Sequence, residues 1–417
     1  MQSLWNDADA AAWADKGDES PAERALALRV YTSRLIGQVP DLVLHGGGNT
    51  SVKVDGPGGK VLHVKGSGWD LGAIEAPGLP AVSLAPLLAV RAGGRLSDPE
   101  MVTLLRSNML DQSGPNPSVE TLLHAFLPAR FVDHTHSAAA LAIANQPNAA
   151  ELSREIFGER LVVVPYVMPG FDLAIESDKL FAAEGEGSEG LFLVNHGLFS
   201  FHDDPRISYE RIIDFTTACE AFLESRGAAL PPPEPNAGVE EPLRGEVLGR
   251  LEAVLRRHPV FAAGVFFDVR RTKAIDAFLA LPDFAEIVGR GTVTPDHVIR
   301  LKPRPLIGDA GFSEADWSRA VDAFVADYTA YFERNVPHAD EPKIMLDPLP
   351  RYALIRGFGL VGIGRTQKEA GICADLAEQA ARVMISAEKL GRFTPIGERD
   401  LFAMEYWSLE QAKLKVK

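Results

Sequence analysis

The chain has 417 residues, 46% of them hydrophobic and 24% charged, with 42 Lys and Arg against 57 Asp and Glu, a formal net charge of −15. Phosphate backbones and anionic lipid repel such a surface, which argues against nucleic acid and membrane as partners. Two distant cysteines, Cys219 and Cys373, make neither a disulfide framework nor a cysteine zinc site. The acidic start MQSLWNDADAAAWADKGDES lacks the basic and apolar parts of a secretory leader, and no apolar run nears the ~20 residues that span a bilayer, so a cytoplasmic location is expected.

Residues 1–21 read as an N-terminal extension. Residues 22–38 carry the apolar spacing of an amphipathic helix. Glycine-bounded alternating stretches follow, TSVKV and KVLHVK, as strands do. PSVETLLHAFL reads as a helix with Pro117 in its first turn. ARFVDHTHS, LVVVPYVM and GLFLVNHGLFSF read as strands, and RISYERIIDFTTACEAFLES as a long helix. Residues 227–244, which hold PPPEPNAGVEEP, are a linker by composition and close a first domain at 22–226. A second domain at 245–417 has its own helices and the apolar strands GVFFDV and RYALIRGFGLVGIG. The alternation of helices and short strands points to an α/β fold with a mixed sheet.

The unit LFLVNHGLFSF with its following helix is similar to YALIRGFGLVGIG with the helix after it. Sliding Gly197 onto Gly359 sets His196 opposite Phe358, so a second copy would lack that imidazole. The same stretch holds Gly357, Gly359 and Gly362 in G-x-G-x-x-G spacing. A dinucleotide fingerprint needs a second parallel strand ending in an acid, and Asp375 falls inside a predicted helix. The glycines are expected instead to allow a tight hairpin or close strand–helix packing.

Chemistry concentrates in the first domain. His134 and His136 are two apart on a predicted strand and share a face. His196 ends the strand of LFLVNHG. Three imidazoles that leave a coordination position open are the donor set of a catalytic metal site. Glu120, near Ser118 at a predicted helix start, is a carboxylate suited to general acid–base work, or to a capping role. His124 shares its helix face and reads better as a supporting or core histidine. HGGGNTS at 45–51 and KGSG at 65–68, with Lys65 as a charge and Asn49 and Ser51 as donors, are turns able to hold an anion.

GGGNTS, KGSG, PSVETLLH, DHTHS and NHG stand in the order found in the class II aldolase/adducin family, which residues 22–226 resemble. The resemblance implies an α/β/α sandwich around a mainly antiparallel central sheet, followed by a second α/β domain readable as a degenerate repeat. It implies Zn2+, or another divalent metal, on His134, His136 and His196. It makes Glu120 the catalytic glutamate, where epimerase relatives carry an aspartate. Gly48, Asn49, Ser67, Gly68 and Ser118 match phosphate-contacting positions, although Val119 stands where relatives often have a further serine.

GTVTPDHVIRLKPRP and LFAMEYWSLEQAKL resemble the aldolase half of bifunctional rhamnulose-phosphate aldolase/alcohol dehydrogenases. In that branch a short-chain dehydrogenase domain follows. This chain stops at Lys417, so dehydrogenase activity is expected to be absent. The implied reaction is cleavage of a ketose 1-phosphate, rhamnulose-1-phosphate-like, to dihydroxyacetone phosphate and an aldehyde through an enediolate. The alternatives are a same-family epimerase, dehydratase or decarboxylase on a sugar phosphate, and a non-catalytic adducin-like module. Tyr328, Tyr331 and Tyr406 are candidates for a second proton donor. If the second domain takes the place of a neighbouring subunit in the family's four-fold oligomers, His297, Lys302 and Arg304 are candidate contacts to an anionic substrate, beside their reading as surface charges. The expected partners are a small phosphorylated sugar and further copies of the chain, as a dimer or tetramer.

Overall fold

The computed structural model describes residues 1–17, 20–56, 58–236, 238–339 and 341–407. They form two compact units, one of residues 1–144 and 148–225, the other of residues 145–147 and those from Arg226 on. No helix among the described residues is long and apolar enough to cross a membrane.

The first unit is built on seven strands, β1 (Asn49–Gly56), β2 (Gly59–Val64), β3 (Ala81–Ser83), β4 (Phe131–Thr135), β5 (Leu161–Val164), β6 (Gly190–Leu193) and β7 (Gly197–His202). Their order across the sheet is β3-β2-β1-β4-β7-β6-β5, antiparallel throughout except for the β5–β6 pair. The two glycine-bounded stretches form the β1–β2 hairpin, closed by Gly56 opposite Gly59. Every residue of β4 is buried, as are residues 49–54 of β1, so both faces of the sheet's centre are covered. Helix Pro21–Gly37 packs on β1, and helix Pro205–Ser225 on β4 and β7. Inside, Arg29 forms a buried ion pair with Asp133 of DHTHS, whose other oxygen accepts from Ser208. That pairing satisfies a charge that burial would otherwise penalise.

Two local expectations give way to tertiary pairing. Helix formation in PSVETLLHAFL begins later than the sequence predicts. Pro117 forms a bridge with Gly66, the Ser118 amide donates to the Lys65 carbonyl at 3.0 Å, and the helix runs only Thr121–Phe126 with Glu120 at its cap. Proline has no N–H to lose, so an extended pairing with the KGSG turn competes well with a first helical turn. Ser118 therefore does not sit at a helix start. The strand in LVVVPYVM likewise stops at Val164, because Pro165 cannot donate to a ladder.

The second unit has a four-stranded sheet of β8 (Phe266–Arg270), β9 (Leu306–Asp309), β10 (Tyr352–Arg356) and β11 (Gly359–Gly364), in the order β8-β11-β10-β9. β8–β11 and β11–β10 are antiparallel, and β10–β9 is parallel. This reproduces β4-β7-β6-β5 in order and direction. Both hairpins have three-residue turns, Leu193 pairing with Gly197 and Ile355 with Gly359. Both turns carry a left-handed residue at the same place, Asn195 (φ 57°) and Gly357 (φ 74°). A Cβ on Gly197 would run into the Thr135 carbonyl, and one on Gly359 would lie 2.6 Å from the Arg270 carbonyl. The G-x-G-x-x-G glycines thus serve an antiparallel hairpin, while Gly362 lies against the backbone of helix Gln367–Leu390. Asp375, the acid downstream, pairs with Arg270 at 2.9 Å.

Candidate active site

Strand pairing assembles the site. β1 and β4 pair so that Asn49 stands opposite His134. β4 and β7 pair so that His134 stands opposite Phe199, and the two rings stack with centroids 4.2 Å apart. His136 follows one residue beyond the end of β4, and His196 is the last residue of the β6–β7 turn. Glycine is needed next to it: a Cβ at Gly197 would approach the His134 ring to 3.3 Å and the His136 ring to 3.2 Å. Gly48 (φ 61°) is needed for a similar reason, since a Cβ there would come within 2.6 Å of the His134 carbonyl.

The three imidazoles gather with ring centroids 4.8, 5.0 and 5.2 Å apart. One ring nitrogen from each lies within 4.8 Å of the others, and all three residues are buried. His134 Nδ1 donates to the Leu198 carbonyl at 2.9 Å, because a carbonyl can only accept. That leaves the Nε2 lone pair free, and it faces His136 Nε2 at 3.0 Å. Burial holds the His134 and His196 imidazoles well below the usual range, and the neighbouring imidazoles add to it. A neutral ring with its outer nitrogen anchored on a carbonyl, as His134 is, is what a divalent cation takes as a ligand. The donor set fits such an ion.

Glu120 faces this cluster. Its Oε2 is 3.4 Å from His134 Nε2 and its Oε1 3.5 Å from His196 Nε2. The carboxylate is held from behind. Asn49 Nδ2 donates to Glu120 Oε2 at 2.6 Å and to Ser118 Oγ at 3.2 Å. Asn49 Oδ1 accepts from His124 Nε2, and Ser51 Oγ donates to His124 Nδ1 at 2.8 Å. His124 is fully buried, and burial keeps it neutral, so its single N–H is the one given to Asn49. The chain Ser51–His124–Asn49–Glu120 therefore fixes which end of the Asn49 amide meets the carboxylate. Ser51 is one step of this relay rather than a donor in an anion turn. Below it, Lys53 Nζ donates to the carbonyls of His124, Leu127 and Ala129 at 2.7–2.8 Å, which closes the C-terminal end of the Glu120 helix.

Of the residues matched to phosphate contacts, Asn49 and Ser118 lie beside the same carboxylate. The Ser67 amide donates to Asn116 and Ser118 to Lys65, so the KGSG turn and PSVE run side by side. Ser67 and Gly68 are exposed, Ser118 is half-buried, and Lys65 is buried with Nζ 2.8 Å from the Gly46 carbonyl. Asn49 is the one whose side chain is committed to Glu120. Its place at the head of β1 gave no sign of that, since the partner is 71 positions away.

The candidates in the second unit separate into different environments. His297 is buried and hydrogen-bonded to Thr294 Oγ1 at 2.6 Å. Lys302 is buried, 3.5 Å from Glu405 and 3.9 Å from the centre of the Tyr328 ring. These two are not surface charges. Arg304 is, with Glu398 at 3.6 Å. Tyr328, Tyr331 and Tyr406 form a buried aromatic cluster with Phe402. The Tyr328 hydroxyl lies 2.7 Å from both Glu405 and Tyr406. Cys219 and Cys373 are buried thiols, both raised by burial.

The profile of the class II aldolase and adducin N-terminal domain matches residues 28–223, and that of the second domain of class II aldolases matches residues 244–414. A Bacillus subtilis (strain 168) protein named as an uncharacterized oxidoreductase, YuxG, is 30% identical over 443 aligned positions. That alignment covers 99% of this chain but spans only 60% of the relative's length. The N-terminal class II aldolase domain of a Thermoplasma acidophilum protein is 38% identical, covering 54% of this chain and 99% of its own, with a TM-score of 0.46. The L-fuculose-1-phosphate aldolase of Thermus thermophilus is 17% identical, covering 48% of this chain and 96% of its own, with a TM-score of 0.32.

Proposed function

Because the chain belongs to the class II aldolase/adducin family, we propose that it is a metal-dependent lyase that cleaves a ketose 1-phosphate, rhamnulose-1-phosphate-like, to dihydroxyacetone phosphate and an aldehyde. One observation carries the reading: a buried carboxylate, held from behind by Asn49, stands 3.4–3.5 Å from two of three converging imidazoles. A scaffold module has no use for that arrangement.

His134, His136 and His196 would hold Zn2+ or another divalent ion, which when bound supplies Lewis-acid stabilisation for the charge of an enediolate. The chain's own groups do the rest. Cleavage leaves the C3–C4 electron pair on C3, and the proton that the C4 hydroxyl gives up as the aldehyde forms is matched, in the net reaction, by the one that arrives at C3. Glu120 would deliver it. The relay through His124 and Asn49 acts by position: it keeps the carboxylate from rotating away from the reacting carbon. Gly48, Ser67, Gly68, Ser118 and Lys65 frame the neighbouring space, where the substrate phosphate would bind and orient C3 and C4.

The second unit is read as a degenerate copy of the half-fold that carries the histidines. Strand register maps His134 to Val269, His136 to Arg271 and His196 to Phe358. Phe358 is buried in that unit's core with Val361, Ile363 and Trp317, so an apolar ring fills the position of an imidazole.

The test joins metal analysis of the purified chain to a screen of ketose 1-phosphates for dihydroxyacetone phosphate release. The reading expects one divalent ion per chain and release from at least one substrate that ceases with Glu120→Gln. A fully metal-loaded chain that releases none from any of them would overturn it.

A further inference from the structure

We infer that the second unit carries an oxyanion-binding cleft of its own, shaped for the phosphate or carboxylate group of a small metabolite. The inference is independent of the aldolase reading. A cleft of about 180 Å³ lies among helix His297–Leu301, β11, the start of helix Gln367–Leu390 and the end of helix Glu398–Glu405. Its size is below the ~300–1,000 Å³ of sites for drug-sized ligands, which argues for a small anion over a nucleotide.

Four basic side chains line it: Arg300, Lys302, Arg351 and Arg365. Three acids face them. Asp347 pairs with Arg351, and Glu369 pairs with Arg365 at 2.7 Å. Glu405, beside Lys302 at 3.5 Å, is fully buried, and burial works against both charges, raising the carboxyl and lowering the Lys302 ammonium to about 8. Arg300 is exposed and has no acidic partner among the described residues. With four bases against three acids the lining is positive, in a chain where acids outnumber bases by 57 − 42 = 15. A network serving only the fold would pair its charges and fill the space between them. This one leaves an open volume and a surplus cation at its rim.

The lining adds a second observation. Lys302 has φ 67° and ψ 170°, a backbone region costly for any residue but glycine. Glycine would relieve the strain, yet the position holds a lysine that lines the cleft and whose ammonium lies over the Tyr328 ring. Strain of this kind persists where the surrounding structure holds a side chain in a required place. Here that place is a cation on the wall of an open volume that Arg300, Arg351 and Arg365 also line, and guanidinium groups suit oxyanion oxygens.

The test is equilibrium dialysis of the full chain against radiolabelled inorganic phosphate at low ionic strength. Wild type is compared with Arg300→Ala/Arg365→Ala and with Ser67→Ala/Ser118→Ala in the first unit. Both arginines are exposed, so the first variant keeps its fold, which circular dichroism verifies. The inference expects one phosphate per chain to be lost, or held about tenfold or more weakly, in the arginine variant and retained in the serine variant. Identical phosphate binding by wild type and the arginine variant overturns it. So does loss confined to the serine variant, which would place the only phosphate in the first unit and leave the aldolase reading intact.

Discussion

Replacing His124 with phenylalanine cuts the relay behind Glu120 at its middle. The new ring keeps the volume and the packing against Phe199, whose centroid is 5.4 Å away. What disappears is the N–H that Asn49 Oδ1 accepts, so the buried amide is free to turn and its 2.6 Å bond to Glu120 is no longer enforced. A hydrogen bond to a charged group is worth about 1.5–3 kcal/mol. At about 1.36 kcal/mol per decade, kcat should fall roughly 10- to 160-fold. Metal content should not change, because the three ligands and the Leu198 anchor are untouched. His124→Gln, which offers an amide donor, should recover part of the loss. The assay is dihydroxyacetone phosphate release at saturating substrate, with metal measured on the same preparation. If His124→Phe retains its metal and turns over within about twofold of wild type, the relay does not position the carboxylate.

Glu120→Gln should keep its metal and lose about 10²–10⁴-fold in turnover, the usual weight of a general acid–base group; unchanged turnover would remove Glu120 from that role. His134→Ala should lose bound metal, read by elemental analysis, and full retention would contradict a three-histidine site. Lys53→Met would leave three carbonyls at the end of the Glu120 helix without their buried donor. A loss of about 3 kcal/mol or more is expected in urea unfolding, and a loss under about 1 kcal/mol would mean water replaces the ammonium. In chelator-treated protein, His124, His134 and His196 are all lowered by burial. The unfolded chain takes up protons as pH falls past about 6.5 while the folded chain resists. Their full contribution is present above that pH and is lost below it, by up to about 1.4 kcal/mol per pH unit for each imidazole. Equal unfolding midpoints at about pH 7.5 and 5.5 would show that these rings are free to protonate in the folded state.

The chemistry of the site was legible in residue order because its parts obey short-range rules. Two imidazoles two apart at a strand end share a side, and a histidine at a glycine turn is held in place by its hairpin. The Glu120 helix starts later than its local sequence predicts because Ser118 and Pro117 pair with a turn some fifty residues earlier, a competition no local window contains. The bond from Asn49 to Glu120 is invisible for the same reason, since a place in a glycine-rich loop says nothing of a glutamate 71 residues away.

Local spacing and side-chain chemistry by themselves pointed to three histidines able to hold a metal, to a carboxylate at 120 and to the hairpin glycines, because each depends on neighbours within a few residues. Only the folded chain decided which groups stand behind the acid, that β8-β11-β10-β9 repeats the strand order of β4-β7-β6-β5, and that Lys302 lies buried in the lining of a positive cleft. Those depend on strand pairing and burial between distant segments, and the free energy of such contacts belongs to pairs of residues that the linear order keeps apart.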